Sequence, residues 1–275
     1  MSTRLSIIYS TIQSEHANVI VRIESSDTIS LGKHVGVGIL KTSAIARAPV
    51  TPKSAQEDQL RQGPALDRVV AALEEDIVLG KLHPRERLIE EDLCERFGVT
   101  RHILRLVFAE LSRMGIVERI PNRGALVRAF STRDVDQLYS LREMLETSAA
   151  AQIEFPVKPE DLEELKVIQC DHDKAIEQDD LVQVFRSNQR FHSKLFDLCG
   201  NTFLAEAIET YAQRAHGIRF HVLLSPAQRR RARDEHHLMI DAITRQDRAA
   251  LIDLCRNHLP ASKNAYLRTF GTLID

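Results

Sequence analysis

Three histidines in the C-terminal half and two arginines nearer the N-terminus are the residues whose types and spacing could do chemistry. In "SNQRFHSKLF", Asn188 and His192 stand four residues apart, which puts them on one face of a helix. His236 in "RDEHHLMIDAI" and His258 in "LCRNHLPAS" fall on two further helical stretches. Three imidazoles and one side-chain oxygen suit a borderline divalent metal such as Zn²⁺, Ni²⁺ or Mn²⁺, and facing helices of a bundle can gather such ligands. Spacing alone leaves the set open. His237 adjoins His236, and His216 and His221 compete as donors among the 11 histidines of the chain.

In "GVTRHILRLVFAEL", Arg101 and Arg105 lie one helical turn apart, while Ile103, Leu104, Val107, Phe108 and Leu111 are apolar and belong in a core. Such a helix buries one side and shows two guanidinium groups on the other. An α-helix fits the major groove of DNA, and an arginine fork matches O6 and N7 of guanine. From Thr100 to Phe130 six arginines (101, 105, 113, 119, 123 and 128) face only Glu110 and Glu118. The whole chain carries a net charge of −2, so any nucleic-acid surface is local.

The elements that must position these groups can be read from periodicity. "ALDRVVAALEEDIVLGKL" is a helix stopped by Gly80, and "PRERLIEEDLCERFG" a second, short one ended by Gly98. Thr100 is a natural N-cap for the third helix, running from about Arg101 to Met114. "IVERI" and "ALVRAF" flank a Pro-Asn-Arg-Gly turn and predict a hairpin with Arg123 and Gly124 at its tip. Three helices followed by a hairpin make a winged helix-turn-helix. After Phe130 the pattern is helical to the C-terminus. Ser131 caps its start, and breaks fall near Pro156–Pro159, Asp179–Asp180, Gly200–Asn201, Ser225–Pro226 and Gln246–Asp247. The fold class is therefore mainly α, with an N-terminal winged helix-turn-helix over 63–130 and an all-α antiparallel bundle of about six helices over 131–275. Residues 1–62 form a Pro-, Ser- and Ala-rich flexible extension in which "NVIVRIE" and "LSIIYS" suggest short strands.

Composition narrows the class. The 275 residues are 43% hydrophobic and 28% charged, with ample material for one or two cores. No apolar run reaches the roughly 18–20 residues that span a bilayer, and the start lacks a secretory pattern, so no membrane partner and a cytoplasmic location are expected. Cys94, Cys170, Cys199 and Cys255 are scattered without a C-x-x-C pair, as expected of free thiols in a reducing compartment.

Together these residues resemble the GntR family of bacterial transcription regulators, in the branch with an FCD effector domain. "LGKLHPRERLIEEDLCERFGVTRHILRLVFAELSRMGIVERIPNRGALV" is similar to the family's DNA reader. "LREMLETSAAA", "NQRFHSKLF", "EHHLMIDAITRQD" and "NHL" are similar to its helical effector domain. The likeness covers about 64–265. It implies that Thr100, Arg101, His102 and Arg105 meet operator DNA, assisted by the wing at Arg123 and Gly124. It implies a divalent metal on Asn188, His192, His236 and His258, with His236 chosen over His237 by the family frame. It further implies a small carboxylate effector that Arg142 could clasp by a charge-assisted fork, with Arg214 and Arg219 as further candidates. Two departures stand out. His102, Ile103 and Leu106 replace residues of the usual S-R-T-P-V-R-E-A-L, and Asn188 sits where Asp is frequent.

The implied activity is a homodimeric, ligand-responsive transcription regulator, a repressor, binding double-stranded operator DNA and a small organic acid. A metal-dependent enzyme or a pure metal sensor built on the three histidines is the alternative. The enzyme lacks an H-E-x-x-H motif, and Glu235, beside His236, is expected to point away from the site.

Overall fold

The computed structural model describes residues 53–120 and 124–274. The strands expected in "NVIVRIE" and "LSIIYS", and Arg123 at the hairpin tip, lie outside the described residues. The first helix, α1 (Lys53–Val78), begins twelve residues before Ala65 and runs through Pro64. The helix thus starts inside the stretch expected to be a flexible extension. Proline lacks only one amide and is punctuation at a helix start, so sequence favours beginning there, yet here the helix continues on both sides of it.

Val69, Leu73 and Ile77 of α1 are buried together with Leu88, Leu104, Val107, Phe108 and Leu111. The expected second helix shortens to α2 (Glu90–Phe97). "PRERL" is not helical: Arg85 takes φ 69°, and Arg87–Leu88 form a short strand, β1. Gly98 ends α2 in the left-handed conformation at φ 64°, and its amide reaches back to Cys94 and Glu95. Thr100 then caps α3 (Arg101–Arg113), its side chain accepting from the Ile103 amide. The hairpin is present as β2 (Val117–Ile120) and β3 (Gly124–Val127), antiparallel, with Val117 opposite Val127. β1 adds to the free edge of β3, Leu88 opposite Ala125, giving the sheet order β1-β3-β2. A winged helix-turn-helix with a third strand results.

Ser131 opens α4 (Thr132–Gln152) with a full capping box: its side chain accepts from the Asp134 amide while the Asp134 carboxylate accepts from the Ser131 amide. Behind it follow α5 (Pro159–Glu177), α6 (Leu181–Asp197), α7 (Thr202–Arg214), α8 (His216–Leu224), α9 (Pro226–Thr244), α10 (Arg248–His258) and α11 (Pro260–Ile274). The expected breaks are all there. Two more, at Ala215 and Leu259, raise the count from about six to eight helices among the described residues. Ala215 carries no turn residue and is fully buried, so nothing local marks it. The bundle core gathers Ala149, Leu165, Phe191, Leu195, Met239, Ile243 and Leu251.

The two halves meet along α1. Val78 leaves the winged-helix core and is buried with Ala175, Val184, Phe185 and Leu223 of the bundle. Beside it, Glu74 accepts from His216 Nδ1 at 2.6 Å, and Glu75 pairs with Arg186. His216 Nε2 in turn accepts from Gln189 at 3.1 Å.

Space around a Cβ at Gly98 is open, so the cost of a side chain there is conformational alone. Gly98→Ala is expected to lower stability by about 1 kcal/mol, read from urea unfolding, with Gly98→Asn costing less because asparagine tolerates the left-handed region.

Candidate ligand and metal site and nucleic-acid interface

On α3, Leu104, Val107, Phe108 and Leu111 face inward, while Arg101, His102, Arg105, Leu106 and Ala109 are exposed. The exposed set recurs at helical spacing and forms one outward stripe. Arg101 and Arg105 also line a groove that runs from α3 to the sheet, with Arg87, Arg119 and Gly124 on its other side. Arg87 sits on β1, whose existence the sequence reading missed, so no signal assigned it to this surface. Glu90 reaches Arg105 at 3.5 Å; both are solvent-accessible, and such a pair is worth little.

In the bundle, α6, α9 and α10 bring His192, His236 and His258 together. One ring nitrogen from each lies within 4.8 Å of the others. Hydrogen bonding fixes which nitrogens are bare. The Gln169 amide nitrogen donates to Asp173, so its oxygen accepts from His236 Nδ1 at 3.0 Å, leaving His236 Nε2 as a lone pair. His258 Nδ1 donates to Glu235 at 2.6 Å, which bares His258 Nε2 likewise. His192 Nε2 approaches His236 Nε2 at 3.3 Å, while its own Nδ1 is buried without a partner. Two imidazole nitrogens on one tetrahedral zinc lie roughly this far apart, given Zn–N bonds of about 2.0–2.1 Å.

Burial, reinforced by the neighbouring rings, holds His192 and His236 well below the ordinary histidine range. Neutral imidazole is the form that binds metal. Phe191 stacks on His236 with centroids 4.0 Å apart and fixes the ring plane. Converging lone pairs and oriented outer partners fit a divalent cation. Asn188, one turn before His192, lines the same cavity as His192 and His258.

His237 is exposed and bonded to Asp173 at 3.0 Å, and His216 is engaged at the α1 seam, so neither joins the cluster. The side chain of His221 lies outside the described residues. Glu235 corrects the expectation that it points away. It turns from His236 on its own helix but toward α10, where it orients His258. Burial pushes its carboxyl up, but His258 and Arg231 outweigh this and hold it below the usual range.

Two cavities flank the cluster, and His192 and Arg219 line both. Arg142 lines the smaller one, pairs with Glu146 at 2.8 Å and keeps a buried Nη1 without a partner. Burial, with Arg142 adding to it, lowers Arg219 to about 10; it stays a cation at neutral pH. Arg214 is not brought to either cavity. Its side chain lies against Gly115, where an added Cβ would meet Arg214 Cγ at 2.9 Å, and over the Tyr211 ring. Seam packing holds it there.

Residues 65–127 match the model of bacterial regulatory proteins of the gntR family, and residues 137–261 match the FCD domain. The chain belongs to the GntR family. The HTH-type transcriptional regulator YdhC of Bacillus subtilis is 30% identical over 141 residues, 50% of this chain and 62% of that protein, which is less than two thirds of its length. McbR of Escherichia coli is 25% identical over 178 residues, 64% of this chain and 80% of that regulator. The transcriptional repressor RspR of Escherichia coli is 24% identical over 157 residues, 57% of this chain and 69% of its own. The solved structure of Escherichia coli McbR/YncC superposes with a TM-score of 0.65 at 22% identity, covering 75% of this chain and 98% of that one, a likeness of fold. The GntR region ends with β3, and the FCD region begins within α4. No described helix is long and apolar enough to cross a membrane.

The partner that fixes the His236 tautomer is replaceable without touching a ligand. Gln169→Leu is expected to weaken Zn²⁺ binding about 10–100-fold, measured by competition with a chromophoric chelator, while circular dichroism stays unchanged.

Proposed function

We propose that the chain is a homodimeric transcriptional repressor of the cytoplasm whose hold on double-stranded operator DNA is set by a small carboxylate bound beside a divalent metal. The observation that carries the reading is the outward stripe of α3, with Arg101, His102 and Arg105 exposed over a buried apolar face. Thr100 caps the same helix, which orients its first turn and hence Arg101 toward base edges. Arg123 and Gly124 at the wing are assigned a backbone or minor-groove contact. Two heads on a symmetric site multiply specificity, which is the argument for the dimer. The name of RspR supports the negative sign of control.

Asn188, His192, His236 and His258 are the proposed ligands, with Zn²⁺, Ni²⁺ or Mn²⁺ as occupant. A bound cation supplies an open coordination position for a carboxylate oxygen. The remaining work belongs to the chain. Arg219 and Arg142 attract the anion, and their burial strengthens that attraction because little water screens it. Glu235 and Gln169 hold two imidazoles in the binding tautomer. Asn188 contributes a neutral oxygen where an aspartate would neutralise one charge, leaving the pocket more attractive to an anion. A metal-sensing regulator without an organic ligand is the second reading. The buried Arg142 Nη1, unpartnered beside the cluster, favours the carboxylate.

Mobility-shift titration on DNA upstream of the chain's own gene tests the reading, with and without Zn²⁺ and small carboxylates. Arg101→Ala is expected to cost about 1–3 kcal/mol of operator affinity and to relax sequence preference. Arg105→Ala is expected to weaken all sequences alike if it meets phosphate, and to reduce the salt slope by about 1. A protein that ignores DNA while consuming a carboxylate overturns the reading.

A further inference from the structure

The larger cavity does not end at the histidines. It runs on to Val78, Val184, Phe185 and Leu223 and has a volume of about 90 Å³. These four side chains are buried and belong to the small core that joins the halves. Val78 comes from α1, the first helix of the DNA reader. The charged groups on this side are committed elsewhere. Arg229 donates to the Leu223 carbonyl at 2.7 Å and pairs with Asp179, and Arg231 is bonded to Glu235 at 2.6 Å. His172 donates from Nδ1 to Ser187 at 3.0 Å, because the Ser187 proton goes to the Gln183 carbonyl. Gln228 Oε1, Arg229 Nε and His172 Nε2 are the polar atoms left without partners there. The opposite end carries Arg219 and the histidines. One end of the space is thus cationic and the other is mainly hydrocarbon.

We propose that this outer end is a subsite for the apolar body of a carboxylate of several carbons, with Val78 as the residue that sets ligand length. The inference rests on the carboxylate reading above and adds a shape to it. The head binds at the histidines and Arg219, and the chain extends along Val184, Phe185 and Leu223 to Val78. Because Val78 is the last residue of α1, the ligand's far end touches the reader itself. Filling the subsite changes the contact that holds α1 to the bundle, next to the Glu74–His216 and Glu75–Arg186 bonds. A short acid reaches the metal end only and leaves that contact as it is.

Calorimetry of the full chain with Zn²⁺ present, using acetate, butyrate, hexanoate and octanoate as probes, tests the subsite. Affinity is expected to rise about fourfold for each methylene buried, until the chain meets the wall. Val78→Ala is expected to weaken hexanoate about tenfold and leave acetate unchanged. Phe185→Leu, on the same wall, gives a second variant should the first fail to fold. Equal affinity for all four acids overturns the subsite while leaving the carboxylate reading intact. A rising series that neither variant alters overturns the role of this wall. Failure of every acid to bind, acetate included, overturns both.

Discussion

One helix serves two cores, and the rest of the molecule is arranged around that constraint. Val69, Leu73 and Ile77 of α1 close the winged-helix core, and Val78, the next residue, closes the small core on the bundle side. A rigid helix cannot satisfy both independently: a shift of one turn-end moves the other. Gly217 lies beside this seam, where a Cβ would be in ordinary van der Waals contact with Ile77 and Phe130 at 3.9 Å. Glu74 and Glu75 add directional bonds to the non-directional burial. His216 donates to Glu74 and accepts from Gln189, so its tautomer is fixed from both sides. Burial drives His216 below the ordinary range despite the carboxylate beside it, and the bond survives as a neutral donor to a carboxylate.

The histidine cluster is costly without a partner, and that cost is informative. Three imidazoles, two with tautomers that aim lone pairs inward, lie in a region where burial opposes protonation. A buried polar atom lacking a partner costs about 1–3 kcal/mol, and His192 Nδ1 and Arg142 Nη1 both stand in that condition. On the proposed reading an anion relieves the second need, and a cation at His192 Nε2 takes up the lone pairs of His236 and His258. Glu235 and Gln169 contribute by constraint, since each leaves its histidine only one nitrogen to offer. That division of labour follows from which helices are adjacent: α9 faces α5 on one side and α10 on the other, so His236 and Glu235, consecutive residues, serve different neighbours.

The sequence made visible whatever depends on local pattern. Thr100, Ser131, Gly98 and the Asp179–Asp180 break mark caps and stops through backbone chemistry confined to a few residues, and the structure uses each of them. Features that depend on distant partners stayed hidden. β1 is two residues long and exists only because the β3 edge pairs with it. Arg87 reaches the groove of α3 for the same reason. Glu235 looked misdirected because a helical wheel knows nothing of α10. Arg214 stayed a further candidate for the ligand because its packing against Gly115 is a tertiary fact. The break at Ala215 lacks any turn residue, and α1 passes a proline that ordinarily opens a helix.

On the proposed reading, coupling between the sites is a difference in ligand affinity between two arrangements of the chain. The seam supplies what such a difference requires. α6 carries Asn188 and His192 on the larger cavity, Gln189 toward His216 and Arg186 toward Glu75, so one helix touches that cavity and α1 together. A change in the position of His192 is therefore shared with Gln189 and Arg186 through the rigid backbone between them. Neither hydrogen bond to α1 need break for it to respond, because the carboxylates travel with their partners. The arginine stripe of α3 lies across the winged-helix core from α1, packed on the same Leu73 and Leu104 layer. Since that layer is close-packed and resists compression, a displacement of α1 on the proposed reading would carry the winged-helix core with it.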